Sequence, residues 1–192
     1  MRTGRHRHHW AIRLYDRVYR FWHRLDTPGA DLPPVLRIEI RRSFRTVRLS
    51  AGVVVRRGDR IGVLHLNNER IAALHSNGLS LLAIGLEVRR AMMASLHELA
   101  TLMAPGSQLA DLHAVVAVTI FHHGLRRLGF EIDPRGLTTP GLTTAYQRAL
   151  LASFHPSGRL RILGMTSARA ERGWISREKL RALYASVVRR AG

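Results

Sequence analysis

The sequence predicts an α/β or α+β protein: a single mixed, partly antiparallel sheet covered by about four helices. Three observations carry that reading. Leu36, Ile38 and Ile40 alternate with Arg37, Glu39 and Arg41, the period-two pattern of a half-buried strand. Ala114 to Phe121 is a continuous, valine-rich apolar run, as expected of a buried central strand. Leu79, Leu82, Leu86, Met93, Leu96, Ala100 and Met103 share one stripe of a helix over 79–103, which Pro105-Gly106 ends.

The remaining elements follow in order. Trp10, Leu14, Val18, Phe21, Trp22 and Leu25 predict a helix over 8–26, with Pro28 to Pro34 as a loop. Thr46–Leu49, Val53–Val55 and Ile61–Leu66 read as strands that make an antiparallel meander with 36–41. Gly52 and Arg57-Gly58-Asp59 supply its turns. Phe130-Glu131-Ile132 extends the sheet. Pro140 suits the first turn of a helix reaching Phe154, and Leu160–Leu163 reads as a last strand. Ser176 caps a final helix whose apolar face is Leu180, Leu183, Tyr184, Val187 and Val188. The expected organisation is one domain over 1–192, with 1–8 as a frayed N-terminus.

Composition narrows the chemistry. The 46% hydrophobic and 23% charged fractions are those of a globular chain, and 192 residues suffice for one sizeable core. The absence of cysteine excludes disulfides, a thiolate nucleophile and a Cys-ligated zinc. No run approaches the length of about 18 apolar residues needed for a spanning helix. Arg13, Asp16, Arg17 and Arg20 break the stretch that a secretory signal would require. The expected location is cytoplasmic, with a peripheral membrane association as the variant. The net charge is +18, but Lys179 is the single lysine among 31 basic residues. Such a skew towards arginine reads as a compositional habit of the source genome, spread along the chain.

Four groups of residues are candidates for function. Arg13, Arg17, Arg20 and Arg24 form a stripe on the N-terminal helix that would grip phosphates of an anionic surface, membrane or nucleic acid. The bland alternative is a solvated face opposite a core built on Trp10 and Trp22. His65, Asn68 and Glu69 lie at the end of the strand over 61–66, where an imidazole beside a carboxylate is the minimum for general-base chemistry. Hydrogen-bonded closure of a strand end is the alternative. His122 and His123 would point to opposite faces of a strand, so they would not share a metal; His123 would line a site. His6, His8 and His9 belong to the frayed start. No G-x-S-x-G elbow, Walker loop or G-x-G-x-x-G is present. No metal and no cofactor is expected.

Several segments together resemble the YkoP-like family of bacterial proteins. They are Trp10, Asp16 and Tyr19 at their spacing; Arg37-Ile38-Glu39-Ile40-Arg41; Gly52 and Gly58-Asp59; and His65-Leu66-Asn67-Asn68. Val118-Thr119, Leu128-Gly129-Phe130-Glu131, and Ser176-Arg177-Glu178-Lys179-Leu180 with Leu183-Tyr184 complete the series. The resemblance runs over nearly the whole chain. It implies no specific activity. Family members occur alone or attached to polysaccharide deacetylase domains, which implies an accessory of cell-envelope glycan metabolism. This chain shows none of the deacetylase metal ligands. Carried over by position, His65, Asn68, Thr119 and Glu131 are the polar members of the shared pattern.

The leading expectation is a domain that binds a small polar or phosphorylated ligand for envelope polysaccharide or lipid-linked sugar chemistry. Its site would lie at the strand ends near His65 and Phe121. Arg41 would hold a phosphate or carboxylate, His65 and Asn68 would orient polar groups, and Thr119 and His123 would line the site. One alternative is a metal-independent enzyme with His65 as general base and Asn68 beside it. Another is a non-specific binder of nucleic acid or anionic membrane. The residues do not decide between enzyme and binding module, nor do they fix the oligomeric state.

Overall fold

The computed structural model describes residues 29–75, 81–133 and 169–185, with positions 135, 141, 144–145 and 147. The helix expected over 8–26, most of the one from Pro140 to Phe154, and the strand over 160–163 lie outside the described residues, as do Val187 and Val188.

Eight strands and four α-helices are described. In chain order they are β1 (Asp31–Leu32), β2 (Leu36–Arg42), β3 (Val47–Arg48), β4 (Val54–Val55) and β5 (Arg60–Leu66). Then come α1 (Asn68–His75), α2 (Leu81–Leu102), β6 (Ala114–Thr119), α3 (His122–Arg127), β7 (Glu131–Ile132), β8 (Glu171–Ser176) and α4 (Arg177–Tyr184). Six strands form one mixed sheet in the order β1-β2-β5-β6-β8-β7. β5 and β6 run parallel; every other neighbouring pair is antiparallel. The expected α+β class is therefore observed. The expected meander is not: β3 and β4 leave the sheet as their own two-stranded hairpin, and β2 pairs directly with β5. The hairpin turn holds Ala51 at φ 57° and Gly52 at φ 74°, the left-handed region that glycine tolerates best.

The sheet is covered on both faces. On one face α2, α3 and α4 bury Leu96, Leu99, Ala100, Met103, Leu125 and Leu180 against Ile38, Leu64, Val115 and Ile175. On the other, the hairpin packs Leu49 and Val55 on Ile61, Ala114, Val116 and Trp174. The β6 pattern, buried on both sides, is what makes it a continuous apolar run. Ser95 of α2 ties the helix layer to the sheet edge: its hydroxyl accepts from Val35 N–H at 3.1 Å and donates to Leu32 C=O at 2.9 Å.

Two expected apolar faces need correction. In α2, Leu86 is 54% exposed and Met93 38%; burial concentrates in the second half of the helix, where the sheet lies beneath it. In α4, Leu180 and Tyr184 are buried and Leu183 is exposed. Ser176 does cap α4, accepting from Lys179 N–H at 3.2 Å.

Candidate functional site

Register places the polar residues of the sheet. Side chains alternate between faces along a strand, so opposed residues share a face. Arg37 is opposite His65, Glu39 opposite Val63, and Arg41 opposite Ile61. Val116 is opposite Trp174 and Val118 opposite Arg172. His65 falls level with Val118, one step past the last β5–β6 pair, Leu64 with Ala117. A row therefore crosses four strands on the hairpin side of the sheet: Arg37, His65, Val118, Arg172. The next row, Glu39, Val63, Val116 and Trp174, passes under the hairpin.

Glu39 is the hub at the β2–β5 end. Its Oε2 lies 3.1 Å from His65 Nε2. Arg41 grips the same carboxylate with both arms, Nε to Oε1 at 3.1 Å and Nη2 to Oε2 at 2.9 Å. The side chains of His65 and Glu39 are only 12% and 17% exposed. An ionised carboxylate can only accept, so Nε2 carries the proton that bonds it. Asp31 next door takes a bidentate contact from Arg70, at 3.2 and 2.7 Å, with Arg37 Nε 3.9 Å away.

Guanidinium groups gather at the β8 end. Asp133, 3% exposed at its side chain, pairs with Arg45 and lies 4.0 Å from Arg172 Nη1. The same oxygen is 3.4 Å from Trp174 Nε1, while Oδ1 accepts from Arg135 N–H at 3.0 Å. Among the described residues Arg45 Nε is buried and finds no hydrogen-bond partner. Arg45 and Arg172 both stack on the Phe44 ring, 5.6 and 5.4 Å from its centroid, and Phe44 is 59% exposed. Burial first, then the neighbouring Arg172 and Arg135, pushes the Arg45 guanidinium below its ordinary range. Burial and then Arg41 do the same to Arg172. These charges repel one another across a partly desolvated space.

The sequence-predicted residues divide between locations. Arg41 and His65 meet on Glu39, so the Arg41 fork expected to hold a ligand's anion faces that carboxylate instead. Asn68 is the first residue of α1, but the cap comes from buried Asn67, whose Oδ1 accepts from Arg70 N–H at 3.3 Å. Thr119 follows Val118 and takes the opposite face of the sheet; its Oγ1 accepts from Phe121 N–H at 3.0 Å. His122 and His123 are not on a strand. β6 ends at Thr119, which the Gln147 amide brackets, accepting from Ile120 N–H at 2.6 Å and donating to Val118 C=O at 2.8 Å. The chain then enters α3, whose first two residues bring the imidazole centroids to 4.3 Å. Among the described residues no group of three or more metal-ligating side chains is found. Arg13, Arg17, Arg20 and Arg24 lie outside the described residues. Among the described residues no helix is long and apolar enough to cross a membrane.

The comparison with protein families agrees with the series of segments from Trp10 to Tyr184. The model described as YkoP domain matches residues 6–184. The chain belongs to the YkoP domain family. No curated protein and no solved structure matches it.

Within this YkoP domain, the sequence reading passed over the residues that organise the face. Glu39 stood in the alternating strand and was read for its period, not its charge. Its place two residues before Arg41 on the same face was the available signal. Phe44, Arg45, Asp133 and Arg172 had none. Glu171-Arg172-Gly173-Trp174-Ile175-Ser176 carries two charges and a glycine, so the strand β8 itself is hidden.

Proposed function

We propose that this YkoP domain is a binding module for a small polar ligand, with the Glu39–His65–Arg41 cluster as its reading head. The observation that carries this is one half-buried carboxylate held at once by an imidazole and by both arms of a guanidinium. Fixed, partly desolvated, planar polar groups are what orient hydroxyl-rich ligands, because each lost partner leaves a costly unpaired group. The ligand class we favour is a sugar of the cell envelope. Its support is what the resemblance to the YkoP-like family implies, that members occur alone or attached to polysaccharide deacetylase domains. The test is a thermal-shift screen of neutral glycan fragments on wild type and His65→Ala. A ligand at a hundred times its dissociation constant stabilises by about 2.7 kcal/mol. A shift present in the wild type and lost in the variant supports the reading; equal shifts in both refute it.

A second reading rests on the same contact. A carboxylate that fixes the imidazole tautomer is also the arrangement of a general base. On that reading His65 takes a proton from the ligand, and turnover follows a pH profile that His65→Ala abolishes. Product formation unchanged by the variant removes it.

A further inference from the structure

We infer that Arg45, Arg172 and Phe44 form a subsite for a phosphate carried on a ring, at the opposite end of the same sheet face. The ligand chemistry is a phosphorylated sugar or nucleotide. The inference deepens the binding-module reading and rests on it for the ring; the phosphate contact stands on its own residues.

The argument begins with acceptors and donors. Asp133 is the carboxylate these guanidiniums share. One of its oxygens faces Arg45, Arg172 and the Trp174 indole, and the other is taken by a backbone N–H. Arg172, 12% exposed at its side chain, sits at the outer limit of ion pairing with it. Arg45 Nε finds no hydrogen-bond partner among the described residues. The connection from β7 to β8 adds no carboxylate side chain to the sequence, because residues 134–170 contain no Asp or Glu. Among the described residues two guanidiniums thus share one carboxylate at a partly desolvated site, and a dianionic phosphate offers oxygens in the geometry that guanidinium forks match.

Phe44 adds the second half of the recognition. Phe44 is a large aromatic left 59% exposed, with the Arg45 and Arg172 guanidiniums 5.6 and 5.4 Å from its ring centroid, and its uncovered surface is a stacking platform. Either a pyranose or a nucleobase lies on such a face with its phosphate directed at the arginines. The row geometry gives the span. His65 and Arg172 are two strands apart, on the order of 10 Å at the strand spacing. One phosphorylated ring compound can therefore touch both ends of the face.

The experiment is isothermal titration of the full chain with inorganic pyrophosphate, a neutral hexose, a hexose phosphate and a nucleoside monophosphate. Wild type, Phe44→Ala, Arg172→Gln and His65→Ala are compared. Pyrophosphate and both ring phosphates are expected to bind the wild type. Arg172→Gln should weaken all three by about tenfold or more, the loss of a charge-assisted contact. Phe44→Ala should weaken only the ring phosphates, by roughly fivefold to tenfold. Because Phe44 is exposed, its variant decides the matter should Arg172→Gln fail to fold. The hexose phosphate against the nucleoside monophosphate tells which ring is preferred. Phosphates that fail to bind, or that bind both variants as well as wild type, overturn the inference. Neutral hexose bound in a His65-dependent way with no gain from phosphate leaves the module reading standing and this subsite refuted. Pyrophosphate bound through Arg172 with no hexose binding does the reverse.

Discussion

The carboxylate of Glu39 reaches His65 Nε2 at 3.1 Å from a strand position two residues out of step with it. Both side chains lean along the face to meet, and Arg41 closes on the carboxylate from the same strand. Coupling of this kind is measurable. In a cycle of Glu39→Ala, His65→Ala and the double variant, urea unfolding should report an interaction energy of about 0.5–3 kcal/mol. Additive losses would show the two side chains to be independent.

Glu131 should make stability depend on acid. Burial alone would raise its carboxyl. Hydrogen bonds from the Ser50 hydroxyl at 2.5 Å and Ser50 N–H at 2.6 Å, with Lys179 at 3.1 Å, outweigh that and hold it below the usual carboxylate range. A depressed folded value stabilises above the unfolded value, and the gain is lost as pH falls through the folded one. Glu131→Gln should therefore lower the unfolding free energy at neutral pH and leave it little changed in strong acid. Parallel wild-type and variant curves across that window would contradict the assignment.

Ser176→Ala removes the cap of α4 and should cost about 1 kcal/mol, read as a lower urea midpoint at unchanged slope. Ser176→Asp keeps the acceptor and should restore most of it.

Gly62 sits in the middle of β5, facing the helix layer. A Cβ there would meet Ile38 Cδ1 at 2.6 Å and Leu112 Cδ1 at 3.4 Å, both in the core. Gly62→Ala should destabilise by about 1–3 kcal/mol through overpacking. Gly85→Ala on α2, with open space at its Cβ, is the matched control and should stabilise slightly or be neutral.

Much of the architecture was legible in the sequence where one period dominated. The alternation of 36–41 gave β2, the valine run gave β6, and Ser176 before an apolar stripe gave α4 with its cap. What stayed hidden depended on partners remote in the chain. The hairpin leaves the sheet because Leu49 and Val55 find Trp174, and β8 takes its place between β6 and β7 through pairing, not through propensity. His122 and His123 were misplaced because β6 ends before them, at the Thr119 that Gln147 brackets. In the site, His65 and Arg41 were visible as residues. The group that joins them was not singled out, and the Arg45–Asp133–Arg172 cluster arises only when loop, β7 and β8 come together.

The sheet order carries a consequence for synthesis on the ribosome. β8 lies between β6 and β7, yet it is made about forty residues after β7. Until it emerges, a nascent chain holding β6 presents that strand's hydrogen-bonding edge and its valines to any passing strand. Termination before Glu171 would leave a template for aggregation instead of a smaller stable protein. The last strand thus acts as a stopper for the sheet's own open seam, and the interval before it arrives is where a chaperone would be needed.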